Sequence, residues 1–342
     1  MRVLSFADAI NEAIRLEMAR DPRVLVTGED VAGGATIPGF DRADAWGGVF
    51  GVTRELVTEF GRDRVIDTPI SESAFIGAAI GAATSGYRTV TELQFLDFMG
   101  VCLDQIINQA AKLHYARGSD CAGIPIVIRS MIGAGSRAGS TQSQSHYSTV
   151  AHFPGLKVVA PATPADAKGL MISAIRDQDP VFFLENKALY ETRGPVPEGD
   201  HTVPIGRANV VREGRDVTVV TIARMLSAAE KAAAELAGRG VEAEIIDLRT
   251  IAPLDLPTIL ESVGRTGRLV VVDEDTPRCS VASDIVGLVS SRAFDRLKAA
   301  PRMVTSPHTP VPFAPVLEDA FIPAAKDVIE AVLATVGQEV AA

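Results

Sequence analysis

The stretch Asp67-Thr68-Pro69-Ile70-Ser71-Glu72 closes a short apolar run, Arg64-Val65-Ile66-Asp67, and opens a helical one from Ser73 to Gly86. It therefore predicts a strand that turns directly into a helix. The helix is built of small residues, and Ala74, Gly77, Ala78, Gly81 and Ala82 leave a surface that another backbone can approach closely. Glu72 stands at its start, where the positive end of the helix dipole favours a carboxylate. Taken alone, Glu72 reads as a first-turn acidic residue of the kind many helices carry. Beside a close-packing surface, it suits a buried, shared site.

The same alternation runs along the chain in both directions. Ser5 with Asp8 makes a capping-box-like start, and Phe6, Ile10, Ala13, Ile14 and Met18 share one face of a helix over 6–20. Apolar runs at Val24-Leu-Val, Val65-Ile, Thr89-Val-Thr, Ile126-Val-Ile, Lys157-Val-Val and Val181-Phe-Phe-Leu alternate with helical segments. Buried strands separated by helices predict a mostly parallel sheet covered on both faces. A stretch rich in Pro and Gly, 188–206, reads as a linker. Beyond it the alternation restarts at Val217–Ile222, Ser227–Gly238, Ala243–Asp247, Arg268–Asp273, Val281–Leu297 and a last helix after Pro323. The expected architecture is two doubly wound α/β domains, 1–187 and 207–342.

With 342 residues, each domain can bury its own core. The formal charge of -10 carries no Lys/Arg cluster, so the chain offers no footprint for nucleic acid. No apolar stretch of membrane-spanning length occurs, and the start Met1-Arg-Val-Leu-Ser-Phe has no signal-peptide core. Cys102, Cys121 and Cys279 lack any paired spacing and read as free thiols in a reducing cytoplasm.

Other segments carry candidate chemistry. Gly28-Glu29-Asp30-Val31 places acids at the carboxyl edge of a strand, where α/β sheets bind ligands. Glu92-Leu93-Gln94-Phe95-Leu96-Asp97-Phe98 mixes polar groups with aromatics. The segment from Gly133 to His146 is too rich in glycine and serine for a core element, and long loops of this kind tend to be functional.

Together these segments resemble the β subunits of the thiamine diphosphate-dependent decarboxylase components of 2-oxo acid dehydrogenases. The Asp67-to-Glu72 run matches that family's signature, and further matches run from residue 5 to about 335. They include His152-Phe-Pro-Gly-Leu-Lys-Val-Val, Ala174-Ile-Arg-Asp-Gln-Asp-Pro, Asp247-Leu-Arg-Thr-Ile-Ala-Pro and Pro307-His-Thr-Pro-Val-Pro-Phe. The Gly28 segment, the spacer Asp44-Ala-Trp-Gly-Gly48 and the Pro307 segment look most like the acetoin or pyruvate group. The resemblance implies a transketolase-like pyrimidine-binding domain followed by a transketolase C-terminal domain.

It also implies roles. Glu72 would hydrogen-bond the cofactor's aminopyrimidine, Phe98 would pack against that ring, and Glu29 and Leu93 would lie at the cofactor. Related chains bind a structural potassium ion near Ala174, which brings in Asp177 and Asp179. The family's active-site histidine falls on Gln142 here, and glutamine does not exchange a proton near neutral pH. Two readings stand side by side. His146, one turn on if the segment is helical, takes over part of that role, or the acid-base step has changed with the substrate or acceptor.

Relatives hold Mg²⁺ with a Gly-Asp-Gly motif, which is missing from this sequence. The resemblance therefore implies a thiamine diphosphate site whose metal half lies on an α subunit. The expected function is the β subunit of a 2-oxo acid (pyruvate) or acetoin dehydrogenase, active only with that α subunit. It would cleave the bond next to a carbonyl and pass a two-carbon acyl unit to a lipoyl group. A β–β contact in an α₂β₂ assembly and a lipoyl acyltransferase or carrier protein complete the expected partners. Two further readings stay open: hydroxyacetyl transfer from a ketose phosphate to a carrier-protein thiol, which Gln142 supports, and a non-catalytic assembly partner, which the Glu72 segment argues against.

Overall fold

The structure is a computed structural model that describes residues 2–33 and 46–338. The chain divides into two compact units: Met1–Ile132 with Thr149–Ile205, and Gly133–Ser148 with Gly206–Ala342.

The first unit begins with β1 (Arg2–Ser5), α1 (Phe6–Arg20), β2 (Val24–Gly28), α2 (Leu56–Phe60), β3 (Val65–Asp67), α3 (Glu72–Thr84) and β4 (Arg88–Phe95). A 3-10 turn (Leu96–Gly100) and a π-helical stretch (Gln105–Ala110) lead into α4 (Ala111–Arg117) and β5 (Ile126–Ile132). The short α5 (Tyr147–Ala151) brings the chain back, and β6 (Lys157–Val159), α6 (Pro164–Arg176), β7 (Val181–Asn186) and β8 (Arg193–Val196) follow. Among the described residues of this unit, the main sheet runs β6-β7-β5-β4-β2-β3, and every neighbouring pair is parallel. Every residue of β5 and β7 is buried, which explains their continuous apolar runs. Phe6, Ile10, Ile14 and Met18 of α1 pack with Val24, Val26, Leu170 and Met171 in one core.

The stretch expected as a linker contains β8. It pairs antiparallel with β1, from Arg2↔Val196 to Ser5↔Arg193. Pro195 is tolerated because a two-stranded ribbon leaves each strand one edge that need not donate.

The second unit contains β9 (Asn209–Arg212), β10 (Val217–Thr221), α7 (Met225–Gly238), β11 (Ala243–Asp247), β12 (Thr250–Ala252), α8 (Leu256–Thr266), β13 (Leu269–Asp273), α9 (Val281–Arg292), β14 (Arg302–Thr305), α10 (Pro315–Phe321) and α11 (Ala325–Val336). Its sheet runs β14-β13-β10-β11-β9, parallel except for β9. The helix expected over Val281–Leu297 stops at Arg292 and is followed by a 3-10 turn, Phe294–Arg296.

Ser5 caps α1: its Oγ accepts the Asp8 N–H at 3.0 Å. Replacing Ser5 with Ala removes that acceptor, so Ser5→Ala is expected to destabilise the chain by about 1 kcal/mol, read as a lower Tm in a thermal melt.

Candidate functional site

In the first sheet the strand order reverses between β2 and β4, because β3 lies outside β2 while β4 and β5 extend the other way. Ligands of open α/β sheets bind at the carboxyl ends of strands beside such a reversal. Across that edge, Gly28 of β2 pairs with Asp67 of β3 and Glu92 of β4, and Glu92 pairs with Arg129 of β5. Gly28 has φ +149°, and a Cβ there would lie 3.0 Å from the Glu92 Cβ, so the strand has room for Glu92 only where its own side chain is missing.

Arg129 is fully buried, at 0% exposure. Its Nε and Nη2 donate to Glu185 Oε1 and Oε2 at 2.6 and 2.8 Å, and its Nη1 donates to Glu92 Oε2 at 2.6 Å. Tyr190 Oη donates to Glu185 Oε2 at 2.7 Å. Burial pulls the Arg129 guanidinium down in pKa, but the Glu185 and Glu92 carboxylates outweigh it and the net shift is upward. Glu92, 2% exposed, is raised by burial, against the opposing pull of Arg129. Its other oxygen, Oε1, has no hydrogen-bond partner among the described residues and faces Gly48. Arg129 and Glu185 were missed by sequence reasoning. The available signal was a charge following an apolar run in each of two strands, since such charges are almost never buried unless paired.

Glu29 follows β2 in a tight turn. Asp67 Oδ1 accepts the Ala32 N–H at 2.6 Å, and Asp30 O accepts the Gly48 N–H at 2.8 Å, so the Asp67 segment holds the Glu29 turn in place. Glu29 is 9% exposed, and its carboxyl is pushed up first by burial and then by Glu72, Asp30 and Glu92. Glu72 is the first residue of α3 and 8% exposed. No hydrogen bond or ion pair engages its carboxylate among the described residues. Glu29, Glu72 and Glu92 are thus gathered at one edge of the sheet.

Leu93 is fully buried and presents no accessible surface, while Phe98 is partly exposed and packs edge-on to Phe95 with centroids 5.6 Å apart. Glu92 lies within β4 itself, and the aromatic run continues into the 3-10 turn. Ala74, Ala78 and Gly81 of α3 are exposed. Asp44 and Ala45 lie outside the described residues.

Gln142 and His146 belong to the second unit's share of the chain. Residues 142–146 are not helical, and α5 starts only at Tyr147, so the one-turn relation between these two side chains does not hold. Ser143 and Ser145, whose hydroxyls compete locally for backbone groups, disfavour a helix there. Both residues are partly exposed.

Asp177 and Asp179 are engaged by Lys157, whose Nζ lies 2.8 Å from Asp177 Oδ1 and 3.0 Å from Asp179 Oδ2, while the Arg88 Nη1 donates to the Ile175 and Asp177 carbonyls at 2.9 and 2.8 Å. As arranged, Lys157 engages both acids and Arg88 engages two backbone carbonyls beside them. Among the described residues, no group of three or more His, Cys, Asp or Glu converges to hold a metal.

The second unit has its own acidic edge, Asp273-Glu274-Asp275 at the end of β13. Burial pushes the Asp273 carboxyl up to about 6 against the opposing hydrogen bond from Tyr147, with Asp275 adding repulsion. Asp275 is likewise pushed up to about 6, first by burial, with Ser148 opposing.

The family described as transketolase, pyrimidine binding domain, matches residues 2–193, and transketolase, C-terminal domain, matches residues 206–328. The β subunit of acetoin:2,6-dichlorophenolindophenol oxidoreductase from Cupriavidus necator is 57% identical over 96% of this chain and 96% of its own length. The Bacillus subtilis subunit of the same name is 50% identical over 98% of each chain. The pyruvate dehydrogenase E1 component subunit beta of Bacillus subtilis is 42% identical over 96% of this chain and 98% of its own. Among solved structures, a split-gene transketolase described as an inactive beta4 tetramer has a TM-score of 0.76 at 20% identity, covers 98% of this chain and 99% of its own, and speaks to the fold alone. The chain belongs to the transketolase-like β-subunit family.

Two outcomes follow from these charges. Arg129→Met leaves Glu185 and Glu92 buried without their counter-ion, and a loss of about 3–5 kcal/mol is expected in denaturant unfolding. For Asp273, a folded value above the ordinary 3.8 means its contribution to stability is present below about pH 4 and lost as pH rises through about 6. Asp273→Asn should therefore gain on wild type, by on the order of 1–3 kcal/mol, between about pH 4 and pH 7 in paired thermal melts.

Proposed function

We propose that this chain is the β subunit of a thiamine diphosphate-dependent acetoin dehydrogenase that works only with an α subunit. Near end-to-end identity with the two acetoin oxidoreductase β subunits, 57% and 50%, carries the reading, and it exceeds the 42–43% shared with pyruvate dehydrogenase subunits. The acidic edge fits such a cofactor. Glu72 is a nearly buried carboxylate that nothing in the described chain engages, and an amino group or a protonated ring nitrogen can donate to it.

Bound there, thiamine diphosphate supplies the electron sink for cleaving the bond next to a carbonyl. Glu72 holds the aminopyrimidine by a hydrogen bond, and Phe98 gives it an apolar wall that excludes water. Glu29 lies close enough to Glu72 that burial and the Glu72 charge raise its proton affinity. Gln142 and His146 orient substrate by hydrogen bonds. Mg²⁺ and the diphosphate belong to the α subunit, because this sequence has no Gly-Asp-Gly. A lipoyl group on an acyltransferase partner is the acceptor, a second β chain completes an α₂β₂ assembly, and three free cysteines suit the cytosol.

The assembled α/β enzyme should reduce 2,6-dichlorophenolindophenol with acetoin faster than with pyruvate. Glu72→Gln should lower kcat by about 10²–10⁴-fold and weaken cofactor binding in a fluorescence titration. Turnover of ketose phosphates alone would replace this reading with hydroxyacetyl transfer. An assembled complex inert to every donor, and unchanged by Glu72→Gln, would leave the assembly-partner reading.

A further inference from the structure

The second unit's sheet also reverses its strand order, between β10 and β13, since β11 lies on one side of β10 and β13 on the other. Doubly wound sheets take ligands in such a crevice. Here it is lined by Arg224, which follows β10 after Ala223 at φ +48°, and by Asp273-Glu274-Asp275. The chain's own 133–148 segment occupies it.

At the start of the segment, Glu274 Oε1 accepts the Ala134 N–H at 2.7 Å and Arg224 Nη1 donates to the Ala134 carbonyl at 2.6 Å, so one acid-base pair grips both polar groups of one residue. Ala134 itself is buried with Val311 and Phe321. Glu318, fully buried on α10, accepts the Gly135 N–H at 2.7 Å and pairs with Arg137 Nη1 at 2.6 Å. At the far end, Tyr147 Oη donates to Asp273 Oδ1, and Ser148 Oγ donates to Asp275 Oδ2 at 2.7 Å. The Asp273 carboxylate is itself fixed by the Asp275 and Ala282 N–H groups, at 2.9 and 3.1 Å.

Both ends of the segment are therefore clamped by buried charges, whereas Ser143 and Ser145 between them are buried with hydroxyls that lack partners among the described residues. A segment needed only to fill space would be anchored by apolar contacts, which cost less to bury than four carboxylates. Charged clamps at both ends instead fix the direction in which the middle residues point. Gln142 and His146 are in that middle.

The geometry points to Tyr147 and Glu274 as positioning residues: the second unit uses its own ligand crevice as a seat for the 133–148 segment, and so sets the placement of Gln142 and His146 toward substrate. This rests on the reading above that Gln142 and His146 serve the reaction.

Tyr147→Phe keeps the ring and removes one donor, and Glu274→Gln keeps the shape and one acceptor. With the assembled α/β enzyme, each variant should raise amide hydrogen exchange within 136–146 about tenfold. Each should also lower kcat or raise KM for acetoin by about tenfold, with cofactor affinity unchanged because Glu72 is untouched. Faster exchange with unaltered kinetics would overturn the proposal and leave only a structural clamp, and so would unaltered exchange. Gln142→Ala and His146→Ala separate the two levels. If neither changes turnover while the wild-type enzyme is active, the role given to these side chains falls and the positioning proposal with it. If they lower turnover and the clamp variants do not, the clamp alone is refuted.

Discussion

Arg129 carries a positive charge where water does not reach, so the strands on either side must neutralise it, and that requirement governs the carboxyl edge of the first sheet. Glu92 sits directly beside it on β4, and Glu185 on β7 lies two residues beyond Phe183, the partner of Arg129, on the same face. A slip of one residue in either pairing would turn one carboxylate to the opposite face and leave the guanidinium uncompensated. The cost of a lone buried charge far exceeds that of a displaced apolar side chain. The network therefore specifies register as much as it stabilises. It also determines what lies next to it: Glu92 crowds β2, so β2 ends in Gly28, and Gly28 leads into the turn that carries Glu29.

Both sheets place acids where their strand order reverses, and the two differ in what those acids meet. In the second unit, Asp273, Glu274, Asp275 and Glu318 all accept hydrogen bonds from the chain's own 133–148 segment. In the first, neither one Glu92 oxygen nor the Glu72 carboxylate is engaged among the described residues. Buried polar groups in native proteins are nearly always satisfied. The same topological feature thus serves internal support in one unit and stands ready for an outside donor in the other.

Much of this was legible in the sequence, because the signals were local. The helix over Phe6–Arg20 with its Ser5 cap, the buried strands and the turn into α3 each follow from spacing within a dozen residues. β9 and β14 were not read. They are four-residue strands at the borders of their sheet, and their outward residues dilute the apolar pattern. The pairing of Arg129 with Glu185 joins residues 56 apart, and Glu274 grips Ala134 across 140. No periodicity reports such separations. Gln142 stands out as a departure only through the family resemblance, and the absence of a helix over 142–146 is a matter of serine content that spacing alone does not weigh.

The first unit's edge is unfinished in its electrostatics and in its shape. Glu29 and Glu92 both hold their protons more tightly than free carboxylates, because burial and mutual repulsion outweigh the compensation available. A hydrogen-bond donor beside Glu72 would relieve that repulsion without adding charge to a dry site. Beside it, Ala74, Ala78 and Gly81 leave α3 exposed with little for water to bind and little to obstruct a neighbouring backbone. A carboxylate that the described residues do not engage, next to a helix face of small side chains, is an arrangement suited to completion by another molecule. This is the physical sense in which the chain is a subunit.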